Sequence, residues 1–263
     1  LELSIFGQSH SPAIGVTLSG LPAGLAIDMD ELGAFLRRRA PGQNAWSTPR
    51  KEADLPEFLS GLVGNVTCGA PLCILIRNTD ARSRDYETLR RVVRPSHADY
   101  PAYVRFGGHN DIRGGGQFSG RLTAPLCAAG AVALQCLAAR GVGVYAHIAS
   151  IAGIKDAAVD PLSPDLPALA ALAAKPLPVL DARAGEAMAQ AVCDAAADGD
   201  SVGGVVECVV TGLPAGVGEP LYDSVESRLA ALLFAVPAVK GVEFGAGFAA
   251  AALRGSENND GYT

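Results

Sequence analysis

The segment from Arg121 to Ala139 is rich in Ala, Leu and Cys, and a helix over it would be apolar on nearly every face. A helix without a polar face is buried, either in a protein core or in a membrane. The longest apolar runs of the chain, around Ala128 and Ala170, are interrupted by Gly, Pro, Arg or Gln, which argues against a membrane span. We therefore predict that this helix lies in the core of a globular protein.

Shorter apolar segments occur on both sides of this helix in the sequence. Predicted strands cover residues 1–6, 14–18, 59–66, 72–77, 144–151 and 201–211. Predicted helices run from a cap at Asp28 or Asp30 to Arg39, over 181–198 and over 224–234. Because strands and helices do not alternate in a strict βαβ order, the pattern predicts an α+β fold with antiparallel sheets packed on helices.

One short motif occurs twice. Residues 18–25 read Leu-Ser-Gly-Leu-Pro-Ala-Gly-Leu, and residues 210–217 read Val-Thr-Gly-Leu-Pro-Ala-Gly-Val. Each copy follows an apolar strand and precedes a predicted helix. The repeat indicates two related strand–turn–helix halves, and coincidence in a chain rich in Gly, Ala and Pro is the alternative.

The composition excludes several classes of protein. A chain of 263 residues forms one large domain or two small ones, and we expect a single domain over 1–263. A net charge of −6 and an aromatic content of 6% argue against a general binder of nucleic acid or anionic membranes. The Cys residues form no Cys-x-x-Cys pair, so we expect no metal site. We expect the cysteines in apolar runs such as 124–139 to be the buried thiols of a reduced, cytoplasmic protein.

Histidines occur in two polar loops. Ser9 and His10 lie in a turn directly after the first strand, where sites are often built. The stretch 80–116 is long, polar and rich in Arg, His and Gly, and loops of this length are usually functional. Within it His97 follows Arg94 by three residues, so it can act as an acid toward a leaving anion that the arginine holds, with Asp99 a candidate to orient the ring.

A run of glycines, Gly114 to Gly116, precedes the core helix. Glycines before a helix N-terminus let backbone N–H groups approach a phosphate. The run matches neither the Walker A pattern nor Gly-x-Gly-x-x-Gly. Combined with the arginines at 37–39, the basic loop at 48–51 and the two histidines, it predicts a site for a small ligand that carries several negative charges.

Motifs distributed over nearly the whole chain resemble those of the chorismate synthase family. In chain order they are Phe6-Gly-Gln-Ser-His-Ser, Arg38-Arg-Ala-Pro-Gly, Thr48-Pro-Arg-Lys-Glu-Ala-Asp, Ile76-Arg-Asn-Thr-Asp-Ala-Arg-Ser-Arg-Asp-Tyr, Arg94-Pro-Ser-His-Ala-Asp-Tyr, Arg113-Gly-Gly-Gly, Val239-Lys-Gly-Val-Glu-Phe-Gly and Leu253-Arg-Gly-Ser-Glu-Asn-Asn-Asp.

The resemblance implies a lyase that converts 5-enolpyruvylshikimate 3-phosphate to chorismate and phosphate, the last step of the shikimate pathway of aromatic amino acid biosynthesis. This anti-1,4-elimination requires reduced FMN, although the overall reaction is redox-neutral. The implied fold is a β-α-β sandwich assembled as a cytoplasmic homotetramer. The flavin is reduced either by the enzyme itself with NADPH or by a separate flavin reductase, and the sequence leaves this choice open.

The resemblance also implies roles for individual residues. His10 is the histidine that protonates or polarises the reduced flavin, and His97 is the acid for the departing phosphate. The implied substrate-binding residues are Ser9, Arg39, Thr48, Arg50, Arg94 and Arg121. The implied flavin-binding residues are Arg39, Gln117, Phe118, Ser119, Pro237 and Ala238.

The chain departs from the family pattern at several positions. Many members have Glu where this chain has Gln8, and Arg-Ser-Ser-Ala-Arg-Glu-Thr where it reads Gln-Phe-Ser-Gly-Arg-Leu-Thr over 117–123. A loop arginine common in the family falls at Ala45. The chain also ends before the family's C-terminal segment, so we expect an incomplete domain. An inactive or binding-only paralogue or fragment, holding flavin or a phosphorylated ligand, is the alternative.

Overall fold

The computed structural model describes residues 1–42, 52–79 and 92–259. The predicted ligand contacts at Thr48 and Arg50, and the departure at Ala45, lie outside the described residues. The chain divides into two compact units, Leu1–Leu213 and Pro214–Thr263. The sheets and the helices up to Thr211 belong to the first unit.

The first sheet is built from the N-terminal third of the chain. Its strands are β1 (Glu2–Gly7), β2 (Ala13–Ser19), β3 (Pro56–Ser60) and β6 (Leu72–Arg77), and between the last two a small hairpin joins β4 (Leu62–Val63) to β5 (Val66–Thr67). The larger sheet has the order β1-β2-β6-β3, with each neighbouring pair antiparallel. The prediction of one strand over 59–66 is wrong, because Gly61 and Gly64 adopt positive φ angles that end β3 and turn the hairpin.

The helices of this region begin and end at recognisable signals. Helix α1 (Met29–Arg39) is capped by Asp28, whose carboxylate accepts the N–H groups of Asp30 and Glu31. The predicted loop 80–116 contains an additional short helix, α2 (Asp99–Arg105). The predicted core helix is α3 (Thr123–Ala138), which follows a 3₁₀ turn over Gly120–Leu122.

The second sheet consists of β7 (Gly143–Ile151), β8 (Ile154–Lys155) and β9 (Gly204–Thr211), in the antiparallel order β8-β7-β9. Helices α4 (Leu166–Ala171) and α5 (Ala182–Ala197) pack against β7. Helix α3 contacts β2 and β6 of the first sheet and β7 of the second. A helical layer therefore lies between two antiparallel sheets, which confirms the predicted α+β sandwich.

The core forms where α1 and α3 cover the first sheet. Its buried side chains include Val16, Leu36, Ile74, Ala128 and Val132. By length and composition, Gly120–Ala138 is the one described segment that resembles a membrane-spanning helix. The small buried faces of α3 pack on the sheet and on α1 instead, as predicted for a core helix.

His147 on β7 is a fully buried histidine with two carboxylate partners. Its Nε2 lies 2.7 Å from Glu207 on β9, and its Nδ1 lies 3.0 Å from Asp156. His147 is therefore a hydrogen-bonded residue of the core.

The repeated motif has the same backbone conformation in both copies. Gly20 and its counterpart Gly212 have φ angles of +84° and +73°, and Gly24 and Gly216 have +87° and +88°. The first copy joins β2 to α1, and the second leads from β9 into the second unit, where α6 spans Val225–Phe234. Glycine adopts such angles without strain, so the two copies share the φ angles of these glycines as well as their sequence.

Candidate functional site

The turn after β1 lies against the glycine loop, which comprises Gly114, Gly115 and Gly116. The backbone N–H of Ser9 donates to the carbonyl of Gly116 at 3.0 Å, and Ser9 is buried. All three glycines have positive φ angles. A Cβ atom on Gly114 would lie 2.4 Å from Nδ1 of His10 and 2.6 Å from the hydroxyl of Ser9. A side chain at this position would therefore displace both residues.

The second histidine reaches the next residue of the same loop. A Cβ atom on Gly115 would lie 2.9 Å from Nε2 of His97 and 3.2 Å from its Cε1. The two predicted catalytic histidines, far apart in sequence, thus contact adjacent glycines. The absence of side chains on the glycine loop is what lets both imidazoles approach it.

His97 is held from its other edge by a carboxylate. Its Nδ1 lies 2.7 Å from Asp99 Oδ1, and Asp99 is itself buried at the start of α2. Arg94 donates to Asp99 from its Nε and Nη2, each at 2.8 Å, and from its backbone N–H at 3.0 Å. Although burial opposes it, this pairing with Arg94 holds the pKa of Asp99 well below its ordinary value. The carboxylate is therefore ionised at neutral pH.

Two further predicted residues, Arg39 and Arg121, lie together in a buried ion cluster. Its other members are Glu52 and Asp54. Asp54 bridges the arginines: one oxygen lies 2.5 Å from Arg39 Nη1, and the other accepts from Arg121 Nη1. Arg121 Nε also lies 3.0 Å from Glu52. Side chains of Glu52, Asp54 and Arg121 are almost completely buried, and a cavity of about 250 Å³ adjoins the two carboxylates beside α1.

No sequence pattern indicates a role for Glu52 or Asp54, although both lie at the end of the motif that begins at Thr48. Their proximity to the arginines depends on the first sheet, so no local pattern revealed it. Within the described part of the chain, Nη2 of Arg121 is buried and makes no hydrogen bond. Because buried N–H groups are seldom left without an acceptor, this nitrogen is suited to an anionic ligand atom.

Asn78 connects the buried ion cluster to the turn that carries His10. Its side-chain oxygen accepts from Arg121 Nε at 3.1 Å. Its amide nitrogen donates to the carbonyls of Gln8 at 3.1 Å and Ser11 at 2.8 Å. The cluster and the histidine turn are therefore parts of one hydrogen-bonded region.

Asp111 packs against the glycine loop at Gly116. Its carbonyl oxygen would lie 2.1 Å from a Cβ on Gly116, and its carboxylate accepts from Nε and Nη2 of Arg113. Those hydrogen bonds hold the pKa of Asp111 below its ordinary value, against the effect of burial. The nearby His10 makes a smaller contribution in the same direction, lowering the pKa of Asp111.

The predicted flavin contacts are divided between the two compact units. Gln117 and Phe118 directly follow the glycine loop with exposed side chains, whereas Ser119 accepts the N–H of Arg121 at 3.3 Å. Pro237 and Ala238 belong to the second compact unit. In the described ranges no cluster of His, Cys, Asp and Glu is suited to a metal ion.

Comparison with known proteins agrees with the motifs. The family model described as chorismate synthase matches residues 1–263. A chorismate synthase of Dehalococcoides mccartyi is 45% identical over 259 residues, which cover 98% of this chain and 70% of the relative. One of Aeropyrum pernix is 46% identical over 259 residues, with 98% and 67% covered. A crystal structure of chorismate synthase, 27% identical, superposes with a TM-score of 0.78 over 99% of this chain and 72% of the other.

Proposed function

The chain belongs to the chorismate synthase family, and we propose that its reaction takes place at the glycine loop between His10 and His97. The reaction is the lyase step that forms chorismate and phosphate from 5-enolpyruvylshikimate 3-phosphate. The observation that carries the placement is the contact of the two imidazoles with adjacent residues, Gly114 and Gly115.

His97 is the proposed acid for the departing phosphate. The elimination breaks a C–O bond to phosphate, and the leaving group departs more readily when it is protonated or ion-paired. Imidazole has an ordinary pKa near neutrality, about 6.5, so it can hold a proton for this transfer at physiological pH. The Nε2 edge of the ring is the edge next to Gly115, and Nδ1 is engaged by Asp99.

The substrate's anionic groups require cations and hydrogen-bond donors. We assign Ser9, Arg39, Thr48, Arg50, Arg94 and Arg121 to them. Arg39 and Arg121 share Asp54, so the buried ion cluster fixes their positions but offsets much of their charge. Further positive charge from the basic loop is therefore needed to bind a phosphate and carboxylates together.

The glycine loop and its neighbours fit a planar anionic cofactor such as FMN. The imidazoles of His10 and His97 lie against Gly114 and Gly115, and the exposed ring of Phe118 provides an apolar face. Within the first unit, the residues assigned to hold it are Arg39, Gln117, Phe118 and Ser119, with His10 keeping a proton next to it, and the contacts at Pro237 and Ala238 stay predictions. When bound, reduced FMN would lend an electron to the substrate and regain it, so that the overall reaction is redox-neutral.

The localisation, the oligomeric state and the source of reduced flavin are assigned from the family. We assign a cytoplasmic homotetramer whose flavin is kept reduced by NADPH or by a separate flavin reductase. Sedimentation of the purified chain and an NADPH-dependent assay without added reductase test these two assignments separately.

The decisive experiment is an anaerobic assay with chemically reduced FMN and 5-enolpyruvylshikimate 3-phosphate. We expect chorismate and phosphate in equal amounts, and a turnover that falls by about 10²–10⁴ in His97→Ala. His109→Ala is the matched control, because His109 is exposed. Wild-type turnover by His97→Ala excludes the acid role. Ligand binding without turnover by the wild-type chain favours the binding-only alternative.

A further inference from the structure

Asp99 is a buried carboxylate next to His97, and the proposed function leaves it without a role. Its Oδ1 lies 2.7 Å from His97 Nδ1, and both oxygens are also engaged by Arg94. The side chain of Asp99 is 6% exposed, against 27% for His97 and 32% for Arg94. The carboxylate thus lies behind the imidazole, further from solvent than either partner.

We infer that Asp99 is the positioning residue for His97: it fixes the proton of Nδ1, so that Nε2 is the atom that faces the glycine loop and transfers a proton. Arg94 holds the carboxylate in this orientation through three hydrogen bonds. The inference rests on the proposed function, because it assumes that His97 is the acid.

The geometry distinguishes the two ring nitrogens. Nδ1 lies near both an ionised carboxylate and, at 3.2 Å, Arg94 Nη2. If Nδ1 of His97 carries a proton, it donates a hydrogen bond to Asp99. If Nδ1 is unprotonated, its lone pair would face the lone pairs of the Asp99 oxygen at 2.7 Å, which is repulsive. The shorter contact to the charged acceptor therefore decides the tautomer. Nε2 is then the nitrogen that gains and loses a proton.

The same contacts assign Arg94 a supporting part. Two of its side-chain nitrogens donate to Asp99, so the planar fork of the guanidinium is matched to this carboxylate. Its backbone N–H donates to the same oxygen as Nε does. Such a geometry is typical of a residue that restrains another side chain.

The test compares Asp99→Asn, His97→Ala and the double variant in the anaerobic assay. Asn keeps the size of Asp99 but removes the charge that selects the Nδ1–H tautomer. We expect kcat of Asp99→Asn to fall by about 10²-fold or more, approaching His97→Ala, with KM little changed. The double variant is expected to be no slower than His97→Ala alone, because the two residues act as one unit. Asp165→Asn, at the exposed cap of α4, is the control and should match the wild type.

The outcomes separate the inference from the function beneath it. Full turnover by His97→Ala overturns the proposed acid. If His97→Ala loses turnover while Asp99→Asn keeps nearly the wild-type rate, the positioning role of Asp99 is overturned and the acid role of His97 is not. A rise in KM at constant kcat assigns Asp99 to substrate binding instead, which also overturns it.

A spectroscopic measurement on the wild-type chain keeps the inference falsifiable if Asp99→Asn does not fold. Ring ¹⁵N chemical shifts of neutral His97 report which nitrogen carries the proton. We expect the Nδ1–H tautomer. A neutral ring protonated at Nε2 contradicts the inference without any variant.

Discussion

Gly114 and His10 are in contact so close that a single added methyl group would not fit between them. A Cβ on Gly114 would lie 2.3 Å from His10 Cε1, far inside van der Waals contact. The glycine also has a φ of +59°, where an L-residue is strained by about 1–2 kcal/mol. Backbone and imidazole therefore fix each other's position.

Replacing Gly114 by Ala is expected to abolish most of the lyase turnover while leaving the fold intact. The new methyl group displaces the ring of His10, and a misplacement of about 1 Å in a catalytic group costs roughly 10²-fold in rate. Initial rates under anaerobic conditions and circular dichroism measure the two effects. Gly120→Ala is the control, because a Cβ there meets nothing within 4 Å. Unchanged turnover by Gly114→Ala would exclude His10 from the chemistry.

Asp54→Asn is expected to destabilise the fold far more than loss of an exposed ion pair. The substitution leaves the buried Arg121 and the partly buried Arg39 without their shared carboxylate, and breaking a buried pair costs about 3–5 kcal/mol. Asn tolerates the positive φ of 49° at this position, so the change isolates the charge.

The matched control for Asp54→Asn is Glu57→Gln. Glu57 pairs with Arg77 at 2.9 Å on the surface, where both side chains are exposed, and such solvent-screened pairs contribute little to stability. Urea unfolding gives the free energy of unfolding of each variant. Equal losses in the two variants would contradict a special role of the buried ion cluster.

Local signals in the sequence account for much of the fold. The cap at Asp28, the basic last turn of α1 and the apolar faces of α3 predict those helices nearly to the residue. The interruption of the strand at Gly61 was missed because its effect depends on a neighbouring strand: a Cβ there would lie 2.4 Å from the Cα of Leu72. Helix α2 was missed because it is short and lies in a segment dominated by polar residues.

The site was predictable as a set of loops but not as an arrangement. Motifs singled out His10 and His97 as candidates, but their approach to adjacent glycines depends on tertiary contacts such as the hydrogen bond from Ser9 to Gly116. The carboxylates of Asp54 and Asp99 were harder to interpret, because the arginine that each one binds is selected by tertiary packing. The proposed ligand contacts at Thr48 and Arg50 stay predictions.

Alkylation is expected to distinguish the cysteines by their burial. Cys127 lies on α3, and burial raises the pKa of its thiol, so little reactive thiolate forms. Cys68 and Cys193 are exposed. Iodoacetamide at about pH 8 should therefore modify Cys68 and Cys193 first and Cys127 only after unfolding in urea. Mass spectrometry of peptides gives the rates, and equal labelling of all three in the folded protein would contradict the packing of α3.

Asp156 is expected to make the stability of the fold depend on pH. Its carboxylate accepts the N–H groups of Leu180 at 2.7 Å and Asp181 at 2.8 Å, and it contacts His147. Burial acts to raise the pKa of Asp156, but these donors together hold it below its ordinary value. A carboxyl whose pKa is lower in the folded state stabilises that state above its unfolded pKa, which is about 3.9 for Asp. The stabilisation is lost as pH falls through the folded pKa.

The variant Asp156→Asn tests this dependence. Near pH 7 we expect it to be less stable than the wild type by about 1–3 kcal/mol, since a buried charged acceptor is lost from several hydrogen bonds. The difference should narrow below about pH 4, as the wild-type carboxylate becomes protonated. Asp160→Asn is the control, because Asp160 also accepts two backbone N–H groups but is exposed, and its effect should stay within about 0.5 kcal/mol. Urea unfolding at several pH values gives the difference in the free energy of unfolding between each variant and the wild type. If the difference for Asp156→Asn did not change with pH, the ionised form of Asp156 would not be the stabilising one.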